Sequence, residues 1–158
     1  MVLSNWILVK SKGSKMFYSF NDFERDIKEA VLKLKDKNYD AIVCPLRGAM
    51  TITQCLSYAL EIPYIVPINI KRVEQEDGSF DACLYDEIPE ELKYKRVLVV
   101  DDIYDSGVTL DFIRRHLPEA DYYTLLVRGK NRDWTPLHSQ CIENDEWITF
   151  WWENLKQT

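Results

Sequence analysis

The sequence has no pair of closely spaced cysteines. Its four cysteines are Cys44, Cys55, Cys83 and Cys141, and the absence of a CxxC pair argues against a zinc site or a redox motif. Cys44 and Cys55 lie in apolar runs, so we expect them to be buried thiols. A reducing compartment, the cytoplasm, is therefore the expected location.

Positive charge and long apolar runs are also scarce. The net charge is -6, whereas a protein that binds nucleic acid usually carries a basic face, so we expect no nucleic-acid partner. The longest apolar runs are too short to cross a bilayer and no signal peptide is recognisable, so we expect no membrane contact. The absence of a GxxxxGK[ST] sequence argues against a Walker nucleotide-binding protein.

The chain has no internal repeat, and its 158 residues suit a single domain over residues 1–158. Short apolar runs alternate with amphipathic stretches, which predicts an α/β fold with a mainly parallel central sheet flanked by helices. Charged, aperiodic residues 71–94 predict a long flexible loop, with a short hairpin as the alternative. The tail from Gly129 is predicted to be irregular up to Trp147. The predicted strands cover residues 16–20, 39–44, 64–70, 97–100 and 122–127. Asn21 is predicted to cap the first helix, with Glu24 completing a capping box.

The most informative stretch covers residues 97–109. An apolar, β-branched strand ends in the adjacent acids Asp101 and Asp102 and is followed by a small-residue loop and an amphipathic helix. In α/β proteins this order places chemistry at the carboxyl end of the sheet. The loop amides and the helix N-terminus form an anion site, where Gly107 can take a positive φ. The stretch therefore predicts a phosphate site beside carboxylates that can hold a metal or sugar hydroxyls.

A second candidate site is Arg47-Gly48, which follows a predicted strand and precedes a predicted helix. Amides at the start of a helix then lie beside a guanidinium, which is suited to forked phosphate contacts.

The third candidate is the tail from Glu146 to Glu153, which is unusually rich in aromatic residues. The flat face of Trp147 is a suitable partner for a ring system. Trp151 and Trp152 are predicted instead to cover the end of the sheet or a subunit interface.

The stretch 97–109 resembles the phosphoribosyl diphosphate (PRPP) binding motif of the type I phosphoribosyltransferases. In that motif a hydrophobic strand, two acids and two apolar residues precede a D-[ST]-G-x-[ST] loop, and every position fits here. Arg47-Gly48 is similar to the family's pyrophosphate loop, in which the peptide before the basic residue, here Leu46-Arg47, is often cis. The resemblance implies a type I phosphoribosyltransferase fold with a small hood formed by the C-terminal tail and the N-terminal segment.

The tail is similar to that of the small bacterial xanthine-guanine phosphoribosyltransferases, and this resemblance covers about residues 15 to 155. In that subgroup a tryptophan stacks on the purine and main-chain groups beside it read the base edge, which implies purine contacts by Trp147 and Ile148. The subgroup also has a lysine that donates to the purine 6-oxo group. The position that corresponds to this lysine is Arg128 or Lys130, and the sequence leaves both open.

The implied reaction transfers ribose 5-phosphate from PRPP to a 6-oxopurine (guanine, xanthine or hypoxanthine), with release of pyrophosphate, in purine salvage. Asp105 is the implied general base near purine N7, although it can also cap the motif helix. Asp101 and Asp102 would contact the ribose hydroxyls directly or through Mg²⁺, the implied cofactor, and Arg47 with Gly48 would bind the pyrophosphate. The 5-phosphate would lie in the loop formed by Asp105, Ser106, Gly107, Val108 and Thr109.

Two alternatives stay open. One is a regulator of this fold that binds PRPP or purine without catalysis, which the retained Asp105 and the acidic charge disfavour. The other is an enzyme of the same fold that uses another base, which Trp147 disfavours. We also expect residues 71–94 to act as a lid, residues from about 129 to 158 to form the hood, and the protein to be a homodimer or homotetramer.

Overall fold

A computed structural model describes residues 15–129, 132–143 and 145–157. The chain forms a six-stranded sheet with the strand order β4-β3-β2-β5-β6-β7 and a two-stranded sheet of β1 and β8. The strands are β1 (Lys15–Tyr18), β2 (Ala41–Leu46), β3 (Ile65–Glu74), β4 (Phe80–Leu84), β5 (Val97–Tyr104), β6 (Asp121–Arg128), β7 (Leu137–Ile142) and β8 (Trp147–Phe150), and the α-helices are α1 (Phe20–Leu34), α2 (Met50–Ala59) and α3 (Val108–His116). Among the residues described, no helix is long and apolar enough to span a membrane.

Every neighbouring pair in the larger sheet is parallel except β3 and β4. The chain passes from β2 through α2 to β3 on one side, and from β5 through α3 to β6 on the other. Because β2 and β5 are neighbours, their connections diverge and leave a crevice at their carboxyl ends, where α/β proteins bind ligands. The predicted α/β fold with a mainly parallel sheet is confirmed.

Both faces of the larger sheet are buried, which explains why its central strands are continuously apolar. Ile42 and Leu98 pack in the core beneath α1 and α2, whereas Val43 and Val99 pack in the core beneath α3. Cys44 is buried, as predicted, whereas Cys55 is partly buried. These two cores hold the ends of β2 and β5 at fixed positions.

The first helix begins at Phe20, and its cap is Ser19, two residues before the predicted cap Asn21. The amide of Asp22 donates to the Ser19 hydroxyl over 3.1 Å, and the amide of Ser19 donates to the Asp22 carboxylate over 3.1 Å. The capping box predicted for Asn21 and Glu24 is therefore wrong. The same pattern occurs twice, two residues apart, and the chain uses the first occurrence because β1 already ends at Tyr18.

The strand β7 lies in the tail that the sequence pattern predicts to be irregular. It pairs with β6 at the edge of the larger sheet, and two of its residues donate hydrogen bonds to Asp26, a buried acid of α1. The Gln140 side-chain amide donates to the Asp26 carboxylate over 2.6 Å, and Ser139 donates to the Asp26 carbonyl. Tyr18 of β1 donates to the same carboxylate, so this polar contact ties the smaller sheet to the larger one.

Residues 71–94 contain a short hairpin. β3 continues to Glu74 and pairs antiparallel with β4, and a one-turn 3-10 helix follows at Glu90–Tyr94. The guanidinium of Arg72 lies 3.9 Å from the centre of the Phe80 ring, and Arg115 of α3 contacts Asp81 at 2.9 Å. The hairpin alternative therefore describes these residues, and their mobility stays a prediction.

The smaller sheet contains part of the segment predicted to form the hood, whereas β7, also in that segment, belongs to the larger sheet; the hood stays a prediction. β1 and β8 are parallel, with Lys15 opposite Trp147 and Tyr18 opposite Phe150. The apolar residues Val2, Leu3 and 6–9 favour an extra edge strand from the sequence pattern, and they lie outside the described residues. The smaller sheet joins the beginning of the described chain to its aromatic tail.

Candidate active site

The carboxyl ends of β2, β5 and β6 bring the predicted site residues to one edge of the larger sheet. Gly48, just after β2, lies against Asp102 of β5: a methyl group added at Gly48 would be 2.5 Å from Oδ2 of Asp102. The peptide Leu46-Arg47 is cis, as predicted. The predicted pyrophosphate loop and the predicted ribose acids are thus in direct contact.

Asp101 and Asp102 are two adjacent acids in a desolvated position. Burial raises the pKa of Asp101 well above its usual value, and the neighbouring Asp102 adds to this shift. Burial also raises the pKa of Asp102 to about 6, with a smaller contribution from Glu153, although the amide of Ile103 opposes the shift. Oxygen ligands of this kind, together with substrate hydroxyls, suit Mg²⁺. In the part of the chain that the structure describes, no group of three or more His, Cys, Asp or Glu side chains could hold a metal.

The loop between β5 and α3 has the geometry of an anion site. Gly107 has a φ of +87° and is the N-cap residue of α3, without a side-chain cap hydrogen bond. Glycine can adopt this left-handed backbone conformation at little energetic cost. The positive φ expected for Gly107 is therefore found, and the amides at the start of α3 lie beside Asp105 and Ser106.

The carboxylate of Asp105 points toward β6 instead of capping α3. Its Oδ1 lies 3.0 Å from Nε of Arg128, and the Asp105 side chain is 53% exposed. Arg128 also donates to the carbonyl of Glu146 over 2.8 Å. The capping alternative for Asp105 is thus not observed, and Arg128 connects the candidate base to the residue before Trp147.

The residues predicted to contact a purine are only partly described. Trp147 is 62% exposed and Ile148 is buried, and their contacts with a purine stay a prediction. Arg128 reaches the site, whereas Lys130 lies outside the described residues, so the choice between them stays open. Trp151 and Trp152 pack against Phe23 of α1, in agreement with the covering role predicted for them.

Arg132 is a site residue that the sequence pattern does not reveal. Its Nη2 donates to the carbonyl of Asp105, and its Cζ lies 4.6 Å from the centre of the Tyr104 ring. The residue follows β6 in an aperiodic segment, which carries no signal of a contact with a loop 27 residues away in sequence.

The comparisons with known proteins concern nearly the whole chain. Residues 14–153 match the family model described as "Phosphoribosyl transferase domain". A xanthine-guanine phosphoribosyltransferase of Idiomarina loihiensis is 24% identical over 140 residues, which cover 88% of this chain and 87% of that protein. The chain is therefore similar to a phosphoribosyltransferase over most of the length of both proteins.

Solved structures show the same fold. A purine phosphoribosyltransferase from Pyrococcus horikoshii superposes with a TM-score of 0.76 at 24% identity, over 89% of this chain and 95% of that one. The xanthine-guanine-hypoxanthine phosphoribosyltransferase of Helicobacter pylori superposes with a TM-score of 0.70 at 24% identity, over 91% and 99%. At this level of identity the structural likeness establishes the fold.

Proposed function

This chain belongs to the phosphoribosyl transferase domain family, and from that premise we propose that it transfers ribose 5-phosphate from PRPP to a 6-oxopurine. The observation that carries the proposal is the convergence on one sheet edge of Asp102, Gly48 and the loop 105–109. The relatives' names suggest guanine, xanthine or hypoxanthine as the accepting base. Release of pyrophosphate from PRPP in the presence of each base is the test.

Different residues around the crevice would bind different parts of PRPP. The amides and hydroxyls of Asp105, Ser106, Gly107, Val108 and Thr109 would bind the 5-phosphate. Asp101 and Asp102 would bind the ribose hydroxyls, and Arg47 with Gly48 would bind the pyrophosphate. When bound, Mg²⁺ would supply positive charge that stabilises the departing pyrophosphate, and the two acids are the residues that would hold it.

The bond changes follow from this placement. A purine nitrogen forms a bond to C1 of the ribose, while the bond from C1 to the pyrophosphate oxygen breaks and its electron pair leaves with pyrophosphate. The purine then carries an extra proton, which Asp105 would accept near N7. The contact between Asp105 and Arg128 holds that carboxylate at the mouth of the crevice.

We propose that the start of β8 and the chain around the end of β6 recognise the purine. Trp147 would stack on the purine, the main chain at Ile148 would contact the base edge, and Arg128 or Lys130 would donate to the 6-oxo group. An arginine in place of the usual lysine keeps the preference for an oxo group because both side chains only donate hydrogen bonds.

We predict that Trp147→Ala weakens purine binding by about 1–3 kcal/mol, the usual effect of losing one stack between a base and an aromatic ring. PRPP binding should change little, because Trp147 is 62% exposed and has no structural role in either core. Isothermal titration with each substrate measures both. Phe17→Ala is the matched control, since Phe17 is a 52% exposed aromatic residue of the same small sheet. Equal weakening of both substrates by Trp147→Ala would contradict the assignment.

We further propose that the hairpin in residues 71–94 closes over bound PRPP and excludes water from the reacting sugar. The hairpin lies at the edge of the sheet beside α3, with Asp81 contacting Arg115 in the last turn of that helix. We expect its amides to gain protection from hydrogen exchange when PRPP and Mg²⁺ are added. The amides of β5 are the internal control and should be protected in both states. Slow exchange across 71–94 that does not change on binding would identify the hairpin as static.

The assembly is proposed to be a homodimer or homotetramer, and the location to be cytoplasmic. Exposed apolar side chains on α2 and the start of β3 are compatible with a subunit contact, among them Met50, Tyr58 and Ile65. Light scattering of the purified protein measures the assembly directly, and a monomer would contradict it.

A further inference from the structure

Arg132 contacts the loop that precedes α3 at two successive points. Its Nη2 donates to the carbonyl of Asp105. A methyl group added at Gly107 would lie 3.1 Å from its Nη1. The same guanidinium covers the ring of Tyr104, at 4.6 Å from Cζ to the ring centre. A single side chain, partly buried, therefore spans the end of β5 and the start of the loop.

A second contact ties the same strand end to the helix. The hydroxyl of Tyr104 donates to Oδ1 of Asp111 over 2.9 Å, and Asp111 lies in the first turn of α3. Burial and this hydrogen bond raise the pKa of Tyr104, so the phenol keeps the proton that it donates. Gly107, the N-cap residue of α3, has no side chain with which to fix the loop, whereas Arg132 and Asp111 both lie against it.

The charges around the loop give Arg132 a second role. The Oδ2 atom of Asp111 lies 2.5 Å from the position of a methyl group on Gly107, so a carboxylate stands close to the loop. A phosphate bound by the loop amides would be repelled by this carboxylate and by that of Asp105. The guanidinium of Arg132 contacts the same loop and offsets part of that repulsion.

We propose that Arg132 is a positioning residue of the 5-phosphate site, which holds the backbone of residues 105–107 with its amides available to the phosphate and lowers the electrostatic cost of binding. The inference deepens the function proposed above and rests on it for the identity of the anion. It concerns binding of PRPP and not the attack on C1, so its effect belongs in the affinity for PRPP.

The test compares Arg132→Gln, Arg132→Lys and Arg114→Gln. Arg114 is the matched control because its guanidinium also lies over an aromatic ring of this cluster, at 4.5 Å from the centre of the Trp134 ring. Trp134 in turn contacts Tyr104 edge to face. The Arg114 variant thus removes an equivalent contact between a cation and a ring without removing the bond to the loop.

The measurements are calorimetric titration with PRPP and Mg²⁺, steady-state kinetics for PRPP and for the purine, and the melting temperature. We expect Arg132→Gln to weaken PRPP binding and raise its KM on the order of tenfold, as for loss of one charge-assisted hydrogen bond. The KM for the purine and the melting temperature should stay close to those of the unmodified protein. The PRPP affinity of Arg132→Lys should lie between those of Arg132→Gln and the unmodified protein, since lysine keeps the charge but not the forked donors of the guanidinium. Arg114→Gln should bind PRPP normally.

Three results would overturn the inference. They are unchanged PRPP affinity in Arg132→Gln, equal weakening in Arg114→Gln, and a parallel rise in both KM values with a lower melting temperature. An unmodified protein that binds PRPP but makes no nucleotide would refute the proposed reaction, while the titrations still decide the role of Arg132. Failure of the unmodified protein to bind PRPP at all would overturn both.

Discussion

Asp105→Asn is expected to lower kcat on the order of 10²–10⁴-fold, the usual effect of removing a general base, with little change in PRPP affinity. Asparagine has the size of aspartate and keeps an oxygen that can accept from Nε of Arg128, which lies 3.0 Å from Oδ1. It cannot accept the purine proton. In the structure Oδ1 of Asp105 pairs with Arg128 and the N-cap residue of α3 is Gly107, so the substitution replaces no N-cap residue.

Glu29→Gln is a suitable control for this variant. Glu29 is an exposed acid of α1 that contacts Lys33 at 2.7 Å, and its side chain is 48% exposed, close to the 53% of Asp105. The control should keep full activity. Near-normal turnover in Asp105→Asn would show that Asp105 is not the base, and a matching loss of PRPP affinity would show that it acts through the loop.

Gly48→Ala is expected to lower kcat/KM for PRPP by about 10²-fold, the scale on which a displacement of about 1 Å affects a positioned group. The added methyl group would lie 2.5 Å from Oδ2 and 2.9 Å from Cγ of Asp102, closer than any real contact allows. The carboxylate must therefore turn away from the position in which we propose that it binds the ribose and Mg²⁺. Steady-state kinetics at saturating purine measure the loss.

A double-mutant cycle separates this steric effect from a general disturbance of the loop. In an Asp102→Ala background the carboxylate is gone, so the methyl group of Gly48→Ala has room. We expect the second substitution to cause little further loss there. A full additional loss in the double variant would mean that Gly48→Ala acts through Arg47 or the pyrophosphate loop and not through Asp102.

The parts of the fold that the sequence predicts best are those in which one physical requirement dominates. β2 and β5 are buried on both faces, so their continuous apolar runs identify them. The loop after β5 needs a left-handed residue, and Gly107 with its φ of +87° supplies it. The candidate site was predictable because its acids and glycines stand at the ends of these two strands.

The errors arise where tertiary contacts replace local patterns. β7 has an irregular pattern because Ser139 and Gln140 bind Asp26, a buried acid more than a hundred residues earlier. The cap of α1 is Ser19 and not Asn21 because the capping pattern occurs at both residues, and β1 ends immediately before Ser19. Arg132 contacts the loop from a segment that has no periodicity in the sequence, so the pattern gives no signal of this contact.

Formation of a nucleotide by purified protein is the most direct test of the central claim. The protein is mixed with PRPP, Mg²⁺ and one base at a time, and pyrophosphate release is measured with chromatographic identification of the product. We expect pyrophosphate and the corresponding nucleoside monophosphate with at least one of guanine, xanthine and hypoxanthine, and neither product with uracil or without base. Folded protein that binds PRPP but yields no nucleotide with any 6-oxopurine would contradict it and indicate a regulator, and nucleotide from uracil alone would indicate an enzyme for another base.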